Sequence, residues 1–264
     1  MRIIQPRSNA LPPHWQGLDD LALVLATTQP GEPEIFASLQ GEGPSAGMPV
    51  AFLRLSRCNL ACTWCDTAYT WHFEGDNRPH RDSETFERQA NQVTMDVADV
   101  AARITAIGQK RLVVTGGEPL IQAGELAELL KALPDMSIEI ETNGTVEVPA
   151  RLDIYIDQYN VSPKLSHSGN APELALIPER LDTYAADPRA FFKFVIAEPS
   201  DLDEVLELQR KYRFKPDHVF LMPEGTDSAT LRQRMEWLAP LCLEHGFRMS
   251  DRLHIHLYGD SRGT

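Results

Sequence analysis

The chain has 264 residues, 42% hydrophobic and 24% charged, a balance that excludes a mainly disordered or fibrous protein. Lysine plus arginine number 25 and aspartate plus glutamate 38, so the net charge is −13. Such an acidic surface argues against bulk binding of phosphate backbones but leaves room for a small anionic ligand in a local basic pocket. The longest apolar runs, such as Leu21–Leu25, are too short to span a bilayer, and residues 1–15 carry no apolar leader, so the sequence reads as cytoplasmic.

Residues 1–33 read as an N-terminal extension, interrupted by Pro6, Pro12, Pro13 and Pro30, with one short apolar strand or helix over Leu18–Leu25; residues 34–264 read as one domain. From there short β-branched runs alternate with amphipathic segments, the signature of β/α units on a parallel sheet. The expected strands are Val50–Leu55, Arg111–Thr115, Ser137–Glu141, Ile154–Gln158, Phe191–Ala197 and His218–Met222. Helices are expected over Met95–Ile107, Leu120–Leu133, Leu202–Lys211 and Ser228–His245, with a last strand-like run at Leu253–Leu257. The charged segment Trp71–Asn91 reads as an excursion outside the core. Polar and glycine-rich residues follow nearly every strand, where parallel β/α architectures build their active sites. The set is too small for a closed eight-stranded barrel, so the expected fold is α/β, an open, partial β/α barrel of about six parallel strands.

Three of the four cysteines crowd into one loop after the first strand, as Cys58-x3-Cys62-x2-Cys65. Without a secretion signal this pattern reads as ligation or catalysis rather than a disulfide framework. Three thiolates on one loop can hold three corners of an iron–sulfur cubane and leave the fourth iron open. The alternative is structural zinc, which needs a fourth ligand such as His72 or Cys242.

Further residues sharpen the pattern. Gly116-Gly117-Glu118-Pro119 follows the second strand, Glu141-Thr142-Asn143-Gly144 the third and Ser162-Pro163-Lys164 the fourth. Ahead of the first strand runs Ser38-Leu39-Gln40-Gly41-Glu42-Gly43, and the cysteine loop continues into Trp64-Cys65-Asp66-Thr67. This succession resembles the radical S-adenosylmethionine (SAM) superfamily over roughly residues 34–225 and, within it, the 7-carboxy-7-deazaguanine synthase family.

The resemblance implies a [4Fe–4S] cluster on Cys58, Cys62 and Cys65, with SAM on the open iron and reductive cleavage of SAM to a hydrogen-abstracting radical. It implies SAM contacts from Trp64, Asp66, Gly116, Gly117, Glu118, Ser162, Pro163 and Lys164. It implies ring contraction of 6-carboxy-5,6,7,8-tetrahydropterin to 7-carboxy-7-deazaguanine with loss of ammonia, on the route to 7-deazapurines including the queuosine precursor. Mg2+ at Thr67 is part of that expectation, as are an electron donor such as flavodoxin and a homodimer, with neither nucleic acid nor membrane as partner.

Read singly, these residues also have plainer roles. The GGEP run can be a strand-to-helix turn with Pro119 at the helix start. Thr67 can cap a helix instead of binding a hard cation through its hydroxyl. Arg54, a charge on an apolar strand, needs a partner, either a substrate carboxylate or a structural acid. Leu39, Gln40, Gly41 and Thr115 suit the edge of a pterin, and Thr264 could offer its carboxylate to the same ring or simply fray. Two other functions fit the cysteine loop, a radical SAM activase that makes a glycyl radical on a partner protein and a zinc-binding module.

Overall fold

The computed structural model describes Leu18 and residues 21–264. Its strands are β1 (Ala22–Gln29), β2 (Glu32–Pro33), β3 (Ile35–Leu39), β4 (Pro49–Leu55), β5 (Gln92–Asp96), β6 (Arg111–Gly116), β7 (Ser137–Thr142), β8 (Gln158–Val161), β9 (Ala190–Ile196), β10 (Val219–Pro223) and β11 (Arg248–Met249). The helices are α1 (Arg88–Asn91), α2 (Val97–Ile107), α3 (Ala123–Lys131), α4 (Ala150–Asp153), α5 (Pro172–Ala175), α6 (Pro178–Ala186), α7 (Asp201–Tyr212), α8 (Ser228–His245) and α9 (Leu253–Tyr258). Among the described residues no helix is long and apolar enough to cross a membrane.

Strands β4, β6, β7, β8, β9 and β10 lie side by side in that order, all parallel. Strand β11 prolongs the β10 edge, and antiparallel pairing of β3, β1, β5 and β2 extends the sheet beyond β4. The two ends do not meet, so the barrel is open.

Period-two alternation along the parallel strands sorts the side chains. Leu53, Leu112, Val114, Ile138, Ile140, Tyr159, Phe192, Phe194 and Leu221 belong to the main core. The buried faces of the helices pack there too, for example Val97, Val100, Ala101 and Ile104 of α2. The intervening strand residues, Arg54, Thr115, Glu139, Glu141, Asn160 and Lys193, point the other way, into the barrel. Helix ends follow ordinary rules: Asp227 caps α8 by accepting from the amides of Ala229 (3.0 Å) and Thr230 (2.9 Å), and Gly246 closes it with φ +66°.

Four expectations are corrected. Residues 22–33, expected in the N-terminal extension, form β1 and β2 and belong to the sheet; residues 1–17, 19 and 20 lie outside the described residues. The fourth parallel strand starts at Gln158 and not at Ile154. Arg189 Nη1 takes the carbonyls of Asp153 (3.1 Å) and Ile156 (2.8 Å), and Ile154 is 73% exposed, so that stretch turns where a strand was expected. Leu253–Leu257 is helical, because a five-residue apolar–polar alternation with one buried residue, Ile255, fits one turn of helix as well as a strand. The excursion Trp71–Asn91 is not wholly external: Trp71, His72 and Phe73 are buried, and Phe73 bridges to Phe86.

Candidate active site

Strand β4 ends in the cysteine loop, and β6 ends against it. Gly116 has φ +130°, and a Cβ there would run into the Leu55 carbonyl. A Cβ on Gly117 would strike the Arg57 carbonyl and stand 3.0 Å from Cβ of Cys58. The two glycines therefore let backbone press on backbone. The amides of Gly117 and Glu118 then donate to the carbonyls of Leu55 (3.1 Å) and Arg57 (2.9 Å). Arg57 itself holds a left-handed φ of +78°, and its amide donates to the Thr70 carbonyl at 2.7 Å.

Cys58, Cys62 and Cys65 all line one cavity of about 480 Å³ at the C-terminal ends of the parallel strands. Burial pushes the Cys58 thiol up to about 12 and the Cys65 thiol up to about 11, and it raises Cys62 as well, with Lys164 and Asn170 working against it. Among the described residues no three His, Cys, Asp or Glu side chains converge on a single-ion point. Neither His72 nor Cys242, the residues that could have completed a zinc site, lines the cavity. His72 Nδ1 lies 2.6 Å from the Glu84 carbonyl, and Cys242 faces the Arg248 carbonyl from α8. Three thiols at separate points of one wall are the donor set that a cubane takes at separate corners.

The inner strand face supplies the rest of the wall. Lys193 Nζ donates to Glu42 (2.5 Å) and Glu141 (2.7 Å). Arg252 donates through Nε to Glu42 (3.0 Å), through Nη1 to the Gly225 carbonyl (2.6 Å) and through Nη2 to Asp66. Gln40 Nε2 and Asn160 Nδ2 each donate to Glu139 at 2.6 Å and also reach Glu141. Burial opposes ionisation throughout, yet Lys193, Arg252 and His254 hold the Glu42 carboxyl far below its usual range, and Arg252 lowers Asp66 as well. The two glutamates in turn overcome burial and keep Lys193 protonated. Glu139 is pushed up, by burial first and then by Glu141. Burial lowers His254, against the pull of Glu42.

Of the residues singled out from the sequence, Leu39, Gln40, Gly41, Arg54, Trp64, Asp66, Thr67, Thr115, Gly116, Gly117, Ser162, Lys164 and Thr264 all line this cavity with the three cysteines. Pro163 and Glu118 do not. Glu118 is fully buried behind the wall, where it accepts from the amides of Leu120 (3.1 Å) and Asn143 (2.7 Å) and from the Thr142 hydroxyl (2.9 Å). It ties the end of β6 to the end of β7, and burial lifts its carboxyl to about 6.

Arg54 has the structural acid as its partner, and its forked end is left over. Its Nε donates to buried Glu34 at 2.8 Å, and Tyr69 holds the same carboxylate through its hydroxyl at 2.9 Å. Among the described residues neither Nη of Arg54 has an acceptor. Thr67 precedes the short 3-10 turn Ala68–Thr70, but its hydroxyl makes no capping bond; Oγ1 lies 3.6 Å from Cys65 Sγ. Lys164 Nζ donates to Ser162 Oγ at 2.9 Å and lies 5.5 Å from the centre of the Trp64 ring.

Sequence reasoning missed Glu42, Glu141, Lys193, Arg252, His254 and Trp71 as wall residues. Glu141 and Lys193 had the signal that exposed Arg54, a charge alternating with apolar residues on a strand. Arg252 and His254 had none, because the chain after Gly225 carries no motif and returns to the cavity only through tertiary folding.

The Radical SAM superfamily profile matches residues 53–167. A 7-carboxy-7-deazaguanine synthase of Pyrobaculum aerophilum is 37% identical over 233 residues, covering 87% of this chain and 95% of that protein. Its namesake in Halobacterium salinarum is 35% identical over 256 residues, covering 88% and 91%. A crystal structure of QueE from Escherichia coli superimposes with a TM-score of 0.64 at 27% identity, over 92% of this chain and 99% of that one.

Proposed function

The chain belongs to the 7-carboxy-7-deazaguanine synthase family of the radical SAM superfamily, and from that membership we propose how its cavity carries out the family's reaction, the conversion of 6-carboxy-5,6,7,8-tetrahydropterin to 7-carboxy-7-deazaguanine with loss of ammonia. The relatives favour this reading over a glycyl-radical activase. One observation carries the assignment of roles: the same cavity wall holds the three cysteines and a guanidinium whose forked end has no acceptor among the described residues.

When bound, the [4Fe–4S] cluster and SAM supply the hydrogen-atom abstraction that starts the rearrangement. The protein's own part is binding, orientation and exclusion of water. Cys58, Cys62 and Cys65 hold the cluster. Lys164, with no carboxylate partner among the described residues, faces the carboxylate of SAM, and the ends of β6 and β8 frame the rest of that ligand. Arg54 presents its two Nη groups to the substrate carboxylate, a bidentate geometry that lysine could not reproduce. Glu34 and Tyr69 hold the guanidinium in plane from behind. Gln40, Glu42 and Glu141 offer acceptors for the N–H groups of the pterin, and the His254 imidazole can hold or accept a proton at the same edge. The cavity volume lies in the range of about 300–1,000 Å³ usual for enclosed small-molecule sites.

Thr67 is the protein ligand for Mg2+ in this reading, supported by a hydroxyl that is free of any capping role. Mg2+ takes few protein oxygens and keeps the remainder of its shell for waters and substrate. A reduced flavodoxin-type donor, a homodimer and a cytoplasmic site of action complete the proposal, on the strength of the family resemblance.

The test is an anaerobic assay of reconstituted protein with SAM, reductant, Mg2+ and the carboxytetrahydropterin, read by mass spectrometry. Formation of 7-carboxy-7-deazaguanine beyond the SAM consumed is expected. Slow release of 5′-deoxyadenosine without that product would refute the substrate assignment. Thr67→Ala should weaken activation by Mg2+ about tenfold or more, a loss of about 1.4 kcal/mol; an unchanged Mg2+ titration would remove Thr67 from the metal site.

A further inference from the structure

Each of the three cysteines that would hold the cluster already receives an N–H in this structure. Cys58 is met by the backbone amide of Leu60, from within the loop. Cys62 Sγ accepts from Asn170 Nδ2 at 3.3 Å, and Cys65 Sγ accepts from Trp71 Nε1 at 3.4 Å. These last two donors come from outside the motif, one after β8 and the other at the start of the excursion that the sequence left without a role.

Both donors are held in place. Asn170 Oδ1 accepts from the amide of Ala61 at 2.9 Å, and its Nδ2 also reaches Ser168 Oγ at 3.2 Å, so the side chain cannot turn over without losing the Ala61 bond. Trp71 is 4% exposed and packs in a triangle of rings with two imidazoles, its centre 4.9 Å from His72 and 6.3 Å from His80, which are 5.7 Å apart. His72 is fixed to the Glu84 carbonyl at 2.6 Å, and His80 lies 2.9 Å from the Cys65 carbonyl. The Arg78 guanidinium stands 4.7 Å from the centre of the Trp71 ring, where a cation draws electron density from the indole and sharpens its N–H as a donor.

We infer that Trp71 and Asn170 are positioning residues that set the reduction potential of the cluster by donating to the thiolates of Cys65 and Cys62. The inference rests on the cluster assignment of the preceding section. A hydrogen bond to a cluster sulfur stabilises the more negatively charged, reduced state, and such bonds are among the recognised determinants of cluster potential. The step concerned is addition of one electron to the oxidised cluster, taken in vivo from the donor protein and in the experiment from a chemical reductant. Residues 71–80 are thus a cover that makes a buried, anionic cluster easier to reduce.

The experiment is an anaerobic redox titration of the reconstituted protein, followed by electron paramagnetic resonance, with iron and sulfide measured on each sample. Trp71→Phe keeps an aromatic ring against the imidazoles and removes the N–H. Its midpoint should fall so that the one-electron equilibrium shifts about tenfold toward the oxidised state, which is about 59 mV. Asn170→Asp keeps the acceptor for Ala61 and should move the midpoint in the same direction. Unchanged midpoints at full iron content overturn the inference and leave the family assignment intact. Failure of the wild-type protein to bind a cluster overturns both. Should the variants fail to load iron, pulsed resonance on Trp64→Phe protein carrying indole-15N tryptophan decides: a nitrogen coupling to the reduced cluster supports the Trp71 bond, and its absence overturns it.

Discussion

Replacing Lys193 by methionine is the sharpest test of the cavity wall. Its ammonium is 7% exposed and bridges Glu42 at 2.5 Å and Glu141 at 2.7 Å. Methionine fills most of the volume but leaves two buried carboxylates with Arg252 as the one cation still on Glu42. Removing one member of a buried ion pair costs about 3–5 kcal/mol, because the other charge stays desolvated and unpaired. At about 2–4 °C per kcal/mol for a chain of this size, the melting temperature should fall by about 6–20 °C. The deficit also has a predicted pH dependence. In the wild type Glu42 titrates far below 4.5, so its contribution is present above that value and is lost only as pH falls through the lowered folded value. In the variant, burial acts on Glu42 without the lysine, so its carboxyl takes up a proton at higher pH than in the wild type. The native variant then binds more protons than the native wild type, and its deficit shrinks from pH 8 to pH 5. Calorimetry of cluster-loaded protein at both values measures this. A deficit under about 1 kcal/mol at pH 8, or one that grows toward pH 5, would refute the reasoning.

Two further outcomes follow from the strand ends. Gly117→Ala should prevent normal cluster loading, since the added methyl meets the Arg57 carbonyl and crowds Cys58, so full iron content in that variant would contradict the packing account. Glu118→Gln should change the pH profile of stability. The wild-type carboxyl is raised by burial from 4.5 to about 6, so its contribution is full below 4.5 and falls as pH rises through about 6, by about 2 kcal/mol in all. The variant lacks that decline, so the difference between the two proteins should shift by this amount against the wild type across the window. A constant difference from pH 4 to pH 7 would remove Glu118 as a buried titrating strut.

The parallel core was legible because its strands are short apolar runs between helices with clear periods, and α8 is placed at the residues its pattern indicates. The cysteine loop and the glycines of β6 were legible because their chemistry is local. What stayed hidden depends on contacts distant in sequence. Strand β1 pairs with β5 some seventy positions away, and no local pattern sets that register. Arg252 reaches Glu42 and Asp66 across more than 180 residues. Trp71 sits in a charged stretch whose composition suggested solvent, and only the fold turns that indole onto Cys65. Glu139, Glu141 and Lys193 were readable in principle, since SIEIE and FFKFV put charges on alternate positions of buried strands, the argument applied to Arg54 alone.

The proposed roles of Arg54 and Lys164 would let a chain of net charge −13 recognise carboxylates without a basic patch. Five cations face the cavity, namely Arg54, Lys164, Lys193, Arg252 and Arg262. Lys193 and Arg252 are consumed by Glu42, Glu141 and Asp66, so they fix the shape of the wall and attract no further anion. Lys164 bonds only a hydroxyl, and Arg54 spends one nitrogen on Glu34 while keeping two. Positive charge without a carboxylate to spend it on therefore remains beside Trp64 and Ser162, on β4 at the level of Thr115, and at Arg262, which donates to the Thr27 carbonyl and Asn91 and lies over the Tyr69 ring. In the proposed assignment Lys164 and Arg54 divide two carboxylate-bearing ligands between them, because an anion gains most where the cation has not already been neutralised. Converting Arg54 to lysine keeps the charge but loses the fork, so it should raise KM for the carboxylated pterin while leaving KM for SAM unchanged; equal changes in both would mean that the two cations do not divide the ligands between them.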